Sequence, residues 1–136
     1  MKTGSINIYF EEDKIPSIEL TLVNGNLWLT QNELARFFGV FVQKISGVLR
    51  SSFKKRLLYE PECTFCNRYM DKGIEKQTIF YNLDVLIFLS FHIESLQADV
   101  FREFLKSALH THLQKQKMEE MKIVWYLPKP TEYWLN

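Results

Sequence analysis

Within the first thirty residues, separate stretches alternate polar and apolar side chains, which is typical of half-buried strands. Residues 5–10 follow this pattern and predict one strand, and a polar turn at 11–14 ends it. Residues 18–23 and 27–29 alternate on either side of Asn24-Gly25. Because both turn residues tolerate the positive φ of a type I′ turn, these two segments predict a β-hairpin.

Two helices joined by a tight turn are predicted next. Residues 30–38 form the first, because Thr30 is a suitable N-cap, Glu33 can complete a capping box, and Gly39 ends the helix. Residues 41–55 form the second. Its apolar positions are Ile45, Val48, Leu49 and Phe53.

The remainder of the chain predicts a connection, a strand and two helices. Residues 57–76 are interpreted mostly as connection, since they contain Pro61 and the polar run Asp71-Lys72-Gly73. Residues 77–81 predict a strand that adds to the N-terminal hairpin. Asn82 can cap a buried helix that extends to about residue 92. A longer helix begins at residue 95 or 96 and continues to about residue 122, and an aromatic tail follows.

These elements predict an α+β fold. An N-terminal β-hairpin, a winged helix-turn-helix and an added strand occupy residues 1–81, and a helical C-terminal part packs on them over residues 82–122. Residues 123–136 form the aromatic, proline-containing tail.

The spacing of four residues across the first two helices is typical of a helix-turn-helix. Close approach of the helices needs a small residue, Ala35, and the turn needs a residue that accepts positive φ, Gly39. Ile45 and Val48 stand where the second helix must bury apolar side chains against the first. We therefore predict a helix-turn-helix of the DNA-binding type over residues 30–50. A helical hairpin without a DNA role is the alternative.

The second helix supplies the candidate DNA contacts. Outward side chains of a docked recognition helix reach base edges in the major groove, and cations near its end bind phosphates. Residues 30–58 contain six basic residues and one acidic residue. The predicted DNA-binding residues are Gln43, Lys44, Ser46, Arg50, Lys54, Lys55 and Arg56. The basic run at 54–56 has a second explanation, because cations also stabilise the negative C-terminal end of a helix.

Composition limits the other classes of function. The chain has 136 residues, is 46% hydrophobic and has a net charge of +1, so it can bury one modest core and is not basic overall. Residues 1–14 lack the apolar core of a signal peptide, and no apolar stretch can span a bilayer. We therefore expect a cytoplasmic protein without membrane contact.

Neither metal nor enzyme chemistry is predicted. Cys63 and Cys66 form a lone C-x-x-C, whereas a structural zinc site usually takes four ligands. The three histidines, at 92, 110 and 112, are distant in sequence from the two cysteines. We therefore expect two reduced thiols in a connecting segment. The chain has no glycine-rich phosphate loop and no nucleophile motif, so we predict no cofactor and no catalytic residue.

Two stretches resemble the RhuM family of bacterial proteins. Residues 27–40 (LWLTQNELARFFGV) resemble the family's W-L-T-Q-x-x-[ML]-A-x-L-F-G-V start, and residues 80–85 (FYNLDV) resemble its Y-Y-N-L-D-V signature. Phe101-Arg102-Glu103-Phe104 and Leu109 match its F-R-x-W helix in register. The resemblance implies a virulence-associated or mobile-element protein that is similar to phage antirepressor-type DNA-binding modules.

The predicted function is a DNA-binding regulator, with a protein-interaction module as the alternative. A single helix reads few base pairs, so we expect a homodimer, formed through the long helix or the aromatic tail. The tail can equally fold back on its own core. The alternative is favoured by Phe41, Val42 and Gly47 on the reading face and by the absence of the family's Lys-Arg-Gly loop at residues 94–102. In that case the scaffold has lost DNA binding.

Overall fold

The structure is a computed structural model that describes residues 2–115, 120–124 and 126. The described residues form a mixed α+β fold with two β-hairpins and five helices, the last of which is long. In chain order the elements are β1 (Ser5–Tyr9), β2 (Ser17–Thr21), α1 (Gln31–Phe38), α2 (Val42–Lys54), α3 (Glu60–Cys63), β3 (Thr64–Asp71), β4 (Ile74–Tyr81), α4 (Leu83–Ser90) and α5 (Leu96–Gln114).

One apolar core holds the helices together. α1 packs against α2 and α5, and α4 packs against α5. Burial of a large apolar side chain contributes roughly 1.5–3 kcal/mol, so this core is the main source of stability. Its fully buried large apolar side chains are Leu27, Leu34, Phe38, Ile45, Leu49, Val85, Leu86, Leu89, Ile93 and Phe101.

Local signals in the sequence set the ends of α1, and these predictions are confirmed. The Glu33 N–H donates to Thr30 Oγ1 at 3.2 Å, and the Thr30 N–H donates to Glu33 Oε1 at 3.0 Å, which completes the capping box. Gly39 ends the helix with a φ of 67°. A Cβ at residue 39 would also lie 2.5 Å from Nε2 of Gln97, so the end of that flexible side chain would have to move to make room for it.

The predicted second helix is also confirmed, within one residue at each end. α2 begins after Phe41 and anchors itself through Ile45 and Leu49, whose side chains are 0% and 2% exposed. Val48, half-buried, packs against the same core. These contacts leave one long side of α2 facing outward.

The prediction for the N-terminal hairpin is wrong in its pairing. β2 pairs with β1, antiparallel and in the register Ser5↔Thr21, and not with residues 27–29. The Asn24-Gly25 turn forms with positive φ at both residues, but it closes only the single bridge Val23↔Asn26. Residues 27–29 instead lie against the core, because Leu27 and Leu29 are buried there.

The segment 57–76, interpreted as connection, is mostly regular structure. It contains the short helix α3 and strand β3, which pairs with β4 over eight residues each. Pro61 lies in the first turn of α3, where a missing N–H costs nothing. Lys72 and Gly73 form the two-residue turn with φ of 53° and 78°, as a type I′ turn requires.

The strand predicted at 77–81 exists, but it does not add to the N-terminal hairpin. β4 pairs with β3, and the β3–β4 hairpin forms a sheet separate from β1–β2. Its base is anchored, because Leu29 and Tyr81 exchange backbone hydrogen bonds of 2.9 and 2.7 Å. At about 3.3 Å per residue, eight-residue strands extend roughly 26 Å, and most of their side chains are exposed.

The C-terminal half agrees in outline with the prediction. Asn82 caps α4 by accepting the Val85 N–H at 3.2 Å, and Ser95 caps α5 by accepting the Ala98 N–H at 3.1 Å. α5 ends at Gln114, so the prediction of a helix to about residue 122 is wrong at its end: residues 120–122 have no helical structure. The polar run there offers no apolar face to pack.

The aromatic tail lies mostly outside the described residues. Ile123, Val124 and Tyr126 are described, have no regular secondary structure and are exposed. No helix in the described part of the chain is both long and apolar enough to cross a bilayer.

Candidate nucleic-acid interface

The outward side of α2 carries most of the predicted DNA-binding residues. Gln43, Lys44, Arg50 and Lys54 are exposed on it, and Lys55 and Arg56 are exposed where the helix ends. Successive residues of an α-helix are about 100° apart. Ile45 and Leu49 therefore face the core while these side chains face outward.

The cations of α2 are free of local acidic partners. Within the described residues, no ion pair involves Lys44, Arg50, Lys54, Lys55 or Arg56. The ion pairs that do form lie elsewhere, on the β1–β2 connection, at the tip of the β3–β4 hairpin and along α5. The charge of α2 therefore stays available for an anionic partner.

Among the predicted contacts, Ser46 makes a side-chain hydrogen bond within the part of the chain that the structure describes. Its side chain is half-buried, and its hydroxyl donates to the side-chain oxygen of Gln31. The Gln31 amide donates in turn to the Tyr81 hydroxyl at 2.9 Å. This chain of hydrogen bonds ties α2 to the start of α1 and to the base of the β3–β4 hairpin, so Ser46 has a positioning role in the fold.

One flank of α2 forms an open groove of about 400 Å³. We call it the α2 groove. It is lined by Lys44, Gly47, Ser51, Lys55, Leu57 and His92, together with Gln43, Val48 and Ser52. Arg50 and Lys54 do not line it, because they lie about a quarter-turn around the helix from Ser51 and Lys55.

Sequence reasoning missed His92 as a member of this site. His92 follows α4, and its ring stacks on Phe88 with centroids 4.1 Å apart and an interplanar angle of 24°. This contact holds the imidazole at the edge of the α2 groove. No sequence signal connects a residue after α4 with α2, since the approach depends on how the helices pack.

Two residues of the reading face carry no polar group. Phe41, directly before α2, is 85% exposed. Gly47 stands in the middle of the outward side, and a Cβ added there would meet nothing within 4 Å. Neither residue can therefore offer a partner a side-chain hydrogen bond.

The two cysteines lie apart from this surface and differ from each other. Cys63 ends α3 and is buried, whereas Cys66 lies in β3 and is exposed; both are free thiols. Burial, with a further contribution from the Asp84 carboxylate, raises the pKa of Cys63 from 9.0 to about 11. Among the described residues, no group of three or more His, Cys, Asp or Glu side chains is placed to hold a metal ion.

No family model, no curated protein and no solved structure matches this chain. The resemblance to the RhuM family therefore depends on the motifs at residues 27–40 and 80–85 and on the shorter match at Phe101 and Leu109. The first motif covers Leu29, α1 and its end at Gly39, and the second covers Tyr81 and the Asn82 cap. Both motifs thus meet where Leu29 bridges Tyr81.

Proposed function

We propose that this protein binds double-stranded DNA and places α2 in the major groove. The observation that carries the proposal is the row of exposed cations on α2, which lack acidic partners within the described residues. α1 and α2 act here as a helix-turn-helix, because the turn at Gly39 and the buried Ile45 fix the angle at which α2 is presented.

The exposed side chains suit the chemistry of duplex DNA. Gln43 can bond an adenine edge, and Arg50 a guanine edge, from the outward side of α2. Lys54, Lys55 and Arg56 supply charge for phosphates at the end of the helix. Ser46 contributes by holding α2 in place, since its hydroxyl already donates to Gln31.

A winged helix-turn-helix is the finer description that we propose for the fold. The β3–β4 hairpin is the better candidate for the wing, because it follows α2 in the chain and is exposed on both faces. β1–β2, which contacts α1, is the other hairpin. The turn of the β3–β4 hairpin carries Lys72, which has no acidic partner among the described residues.

The biological role that fits best is a cytoplasmic transcriptional regulator or an antirepressor-like protein of the RhuM type, encoded on a mobile element. Such a regulator is expected to act as a homodimer, because two recognition helices one DNA turn apart read enough base pairs for specificity. On the exposed part of α5, Leu109 is 57% exposed and can contribute to the dimer contact. Light scattering after size exclusion measures this state directly.

The test of the proposal is a gel shift with random genomic fragments at two salt concentrations. Binding is expected at low salt and is expected to weaken steeply as salt rises, because each neutralised phosphate contributes about 0.9 to the slope of log K against log salt. Lys44→Ala with Arg50→Ala is expected to weaken it further. Absence of any shifted fragment at low salt would overturn the proposal.

A protein-interaction module on the same scaffold is the second candidate function. The observation that favours it is Phe41, whose ring is almost fully exposed at the start of α2. Large exposed aromatic side chains are typical of protein interfaces. If Lys44→Ala and Arg50→Ala are both silent in DNA binding while Phe41→Ala abolishes capture of a partner, this second function replaces the first.

A further inference from the structure

Gly47 lies inside α2, and the fold itself does not require a glycine at this position. Glycine in a helix interior costs about 0.5–1 kcal/mol relative to alanine. Gly47 is not among the residues with positive φ, and an added Cβ would meet nothing within 4 Å. Neither the backbone nor the packing therefore explains it. What the missing side chain does is leave the middle of the α2 groove open.

The charge of the α2 groove favours an anionic occupant. Lys44, Lys55 and His92 line it, and Ser51 adds a hydroxyl donor. Within the described residues, no acidic side chain lines this groove. Glu94 lies close by in sequence, but it lines a neighbouring cavity that His92 shares.

Other cavities of the molecule differ in this respect. Glu33 lines the cavity between β1 and α1, and Asp99 and Glu103 line the cavity beside β2 and α5. A polyanion would meet a carboxylate in each of these, whereas in the α2 groove it would meet only cationic, neutral or imidazole groups.

The shape of the α2 groove suits an extended ligand. Lys44 lies in the first turn of α2 and Lys55 is its C-cap; their separation of eleven residues corresponds to roughly 16 Å at 1.5 Å per residue and to nearly the same angular position. One small anion cannot reach both ammonium groups easily, whereas a chain of regularly spaced phosphates can. The open centre at Gly47 allows such a chain to approach the helix backbone.

We propose that the α2 groove holds the sugar-phosphate backbone of one DNA strand, with Lys44 and Lys55 as its outer contacts and His92 as a donor to a phosphate oxygen. This inference rests on the DNA binding proposed above. It assigns the phosphates to one flank of α2 and leaves Arg50, which does not line the groove, to face the base edges, with Gln43 at the edge that the two surfaces share. Of the three cations that the proposed function places at phosphates, the groove narrows the principal contact to Lys55, because Lys54 and Arg56 do not line it.

Lys55→Ala and Lys54→Ala form a matched pair, because both lysines are exposed, adjacent and free of described acidic partners. The measurement is fluorescence anisotropy of one labelled duplex over a salt series. Lys55→Ala is expected to lower the slope of log K against log salt by about 0.9, and Lys54→Ala by less than half of that. Equal losses would overturn the groove assignment and leave the proposed function standing. A wild type that binds no duplex at low salt would overturn both.

Gly47 provides the steric test, with thermal unfolding as its control. Gly47→Ala and Gly47→Leu are expected to keep or raise Tm, because they replace a poor helix former in open space. Gly47→Leu is expected to weaken DNA binding tenfold or more, and Gly47→Ala less. A Gly47→Leu protein that stays folded and binds like wild type contradicts the proposal. If Gly47→Leu lowers Tm, the test uses the folded Gly47→Ala variant instead. An affinity for DNA equal to that of wild type would then contradict the proposal.

His92 gives a direct spectroscopic readout. Its imidazole nitrogen signals are expected to shift when the duplex is added, whereas those of His110, exposed on α5, are expected to stay. Stationary His92 signals at saturating duplex would remove His92 from the site and overturn that part of the proposal.

Discussion

α2 and the β3–β4 hairpin are both largely exposed, yet they are held and charged in different ways. α2 is held against the core by Ile45 and Leu49, and its cations have no acidic partner within the described residues. Within the described residues, the hairpin is anchored at its base, through Leu29 with Tyr81 and through Trp28 with Phe65. Its three basic residues alternate with two acidic ones, and Lys76 already pairs with Asp71 at 2.7 Å.

The difference indicates which of the two elements can present charge with defined geometry. A rigid helix holds its side chains at fixed spacing, so the cost of ordering them on binding is small. A two-stranded hairpin without a covered face is only marginally stable by itself, and the Lys76–Asp71 pair neutralises part of its charge. We therefore expect α2 to be the main binding element and the hairpin to be an auxiliary one.

The largest expected effect compares two isoleucines, one in each element. Ile45→Ala removes a fully buried side chain and is expected to lower the free energy of unfolding by about 2–5 kcal/mol. Ile74→Ala, next to the hairpin turn and 62% exposed, is expected to change it by less than about 0.5 kcal/mol. Urea unfolding measures both. Similar losses for the two variants would contradict the difference in anchoring.

A second comparison uses two glycines with positive φ. Gly39→Ala is expected to cost about 1–2 kcal/mol of global stability, because the left-handed conformation disfavours a Cβ and Gln97 must also move. Gly73→Ala meets open space and suffers only the conformational cost, at the tip of the hairpin.

Hydrogen exchange separates the two glycine variants. Gly73→Ala is expected to speed exchange of amides in β3 and β4 while the global unfolding midpoint stays close to wild type. Gly39→Ala is expected to lower the global midpoint. If Gly73→Ala lowers the midpoint as much, the hairpin unfolds together with the core and the two regions are not independent.

The helix pair α1–α2 and the β3–β4 hairpin also differ in how much of their structure the sequence predicted. The start and end of α1 were predictable because Thr30, Glu33 and Gly39 act within a few residues of each other. The hairpin was missed because Lys72-Gly73 is a weak turn signal, and because strands exposed on both faces have no alternation of apolar and polar side chains.

Other misses depend on contacts between distant parts of the chain. Residues 27–29 are apolar and were predicted as the second strand of the hairpin, but Leu27 and Leu29 are buried in the core, and β2 pairs with β1 instead. The charged half of the candidate site was predictable, since Lys44 lies in α2 and Lys55 caps the same helix. The α2 groove was not, because His92 reaches α2 only through the packing of α4.

The smallest expected effect is a difference in reactivity between two thiols, Cys63 at the base of the hairpin and Cys66 in β3. Iodoacetamide is expected to label the exposed Cys66 in the native protein and to spare Cys63, which is buried and whose pKa is raised to about 11. Mass spectrometry counts the labels, one in the native state and two after denaturation. Two rapid native labels would mean that the base of the hairpin opens.

The Cys63 thiol also makes the free energy of unfolding depend on pH, in a direction that its raised pKa predicts. Because the folded pKa of Cys63 lies above its unfolded value of 9.0, its contribution to stability is fully present below about pH 9 and is lost as the pH rises to about 11. Cys63→Ala is expected to flatten the fall in Tm across this range. An unchanged fall would assign it to other groups.

We propose that α2, and not the hairpin, carries the charge that binds DNA, and one salt series tests this directly. Anisotropy of a labelled duplex is measured for wild type, for Lys44→Ala with Arg50→Ala, and for Arg68→Ala with Lys72→Ala as the matched loss of two charges. The α2 double variant is expected to lower the slope of log K against log salt by about 1–2, and the hairpin double variant by less than about 0.5. A larger decrease in slope for the hairpin variant, or no wild-type binding at low salt, would contradict this proposal.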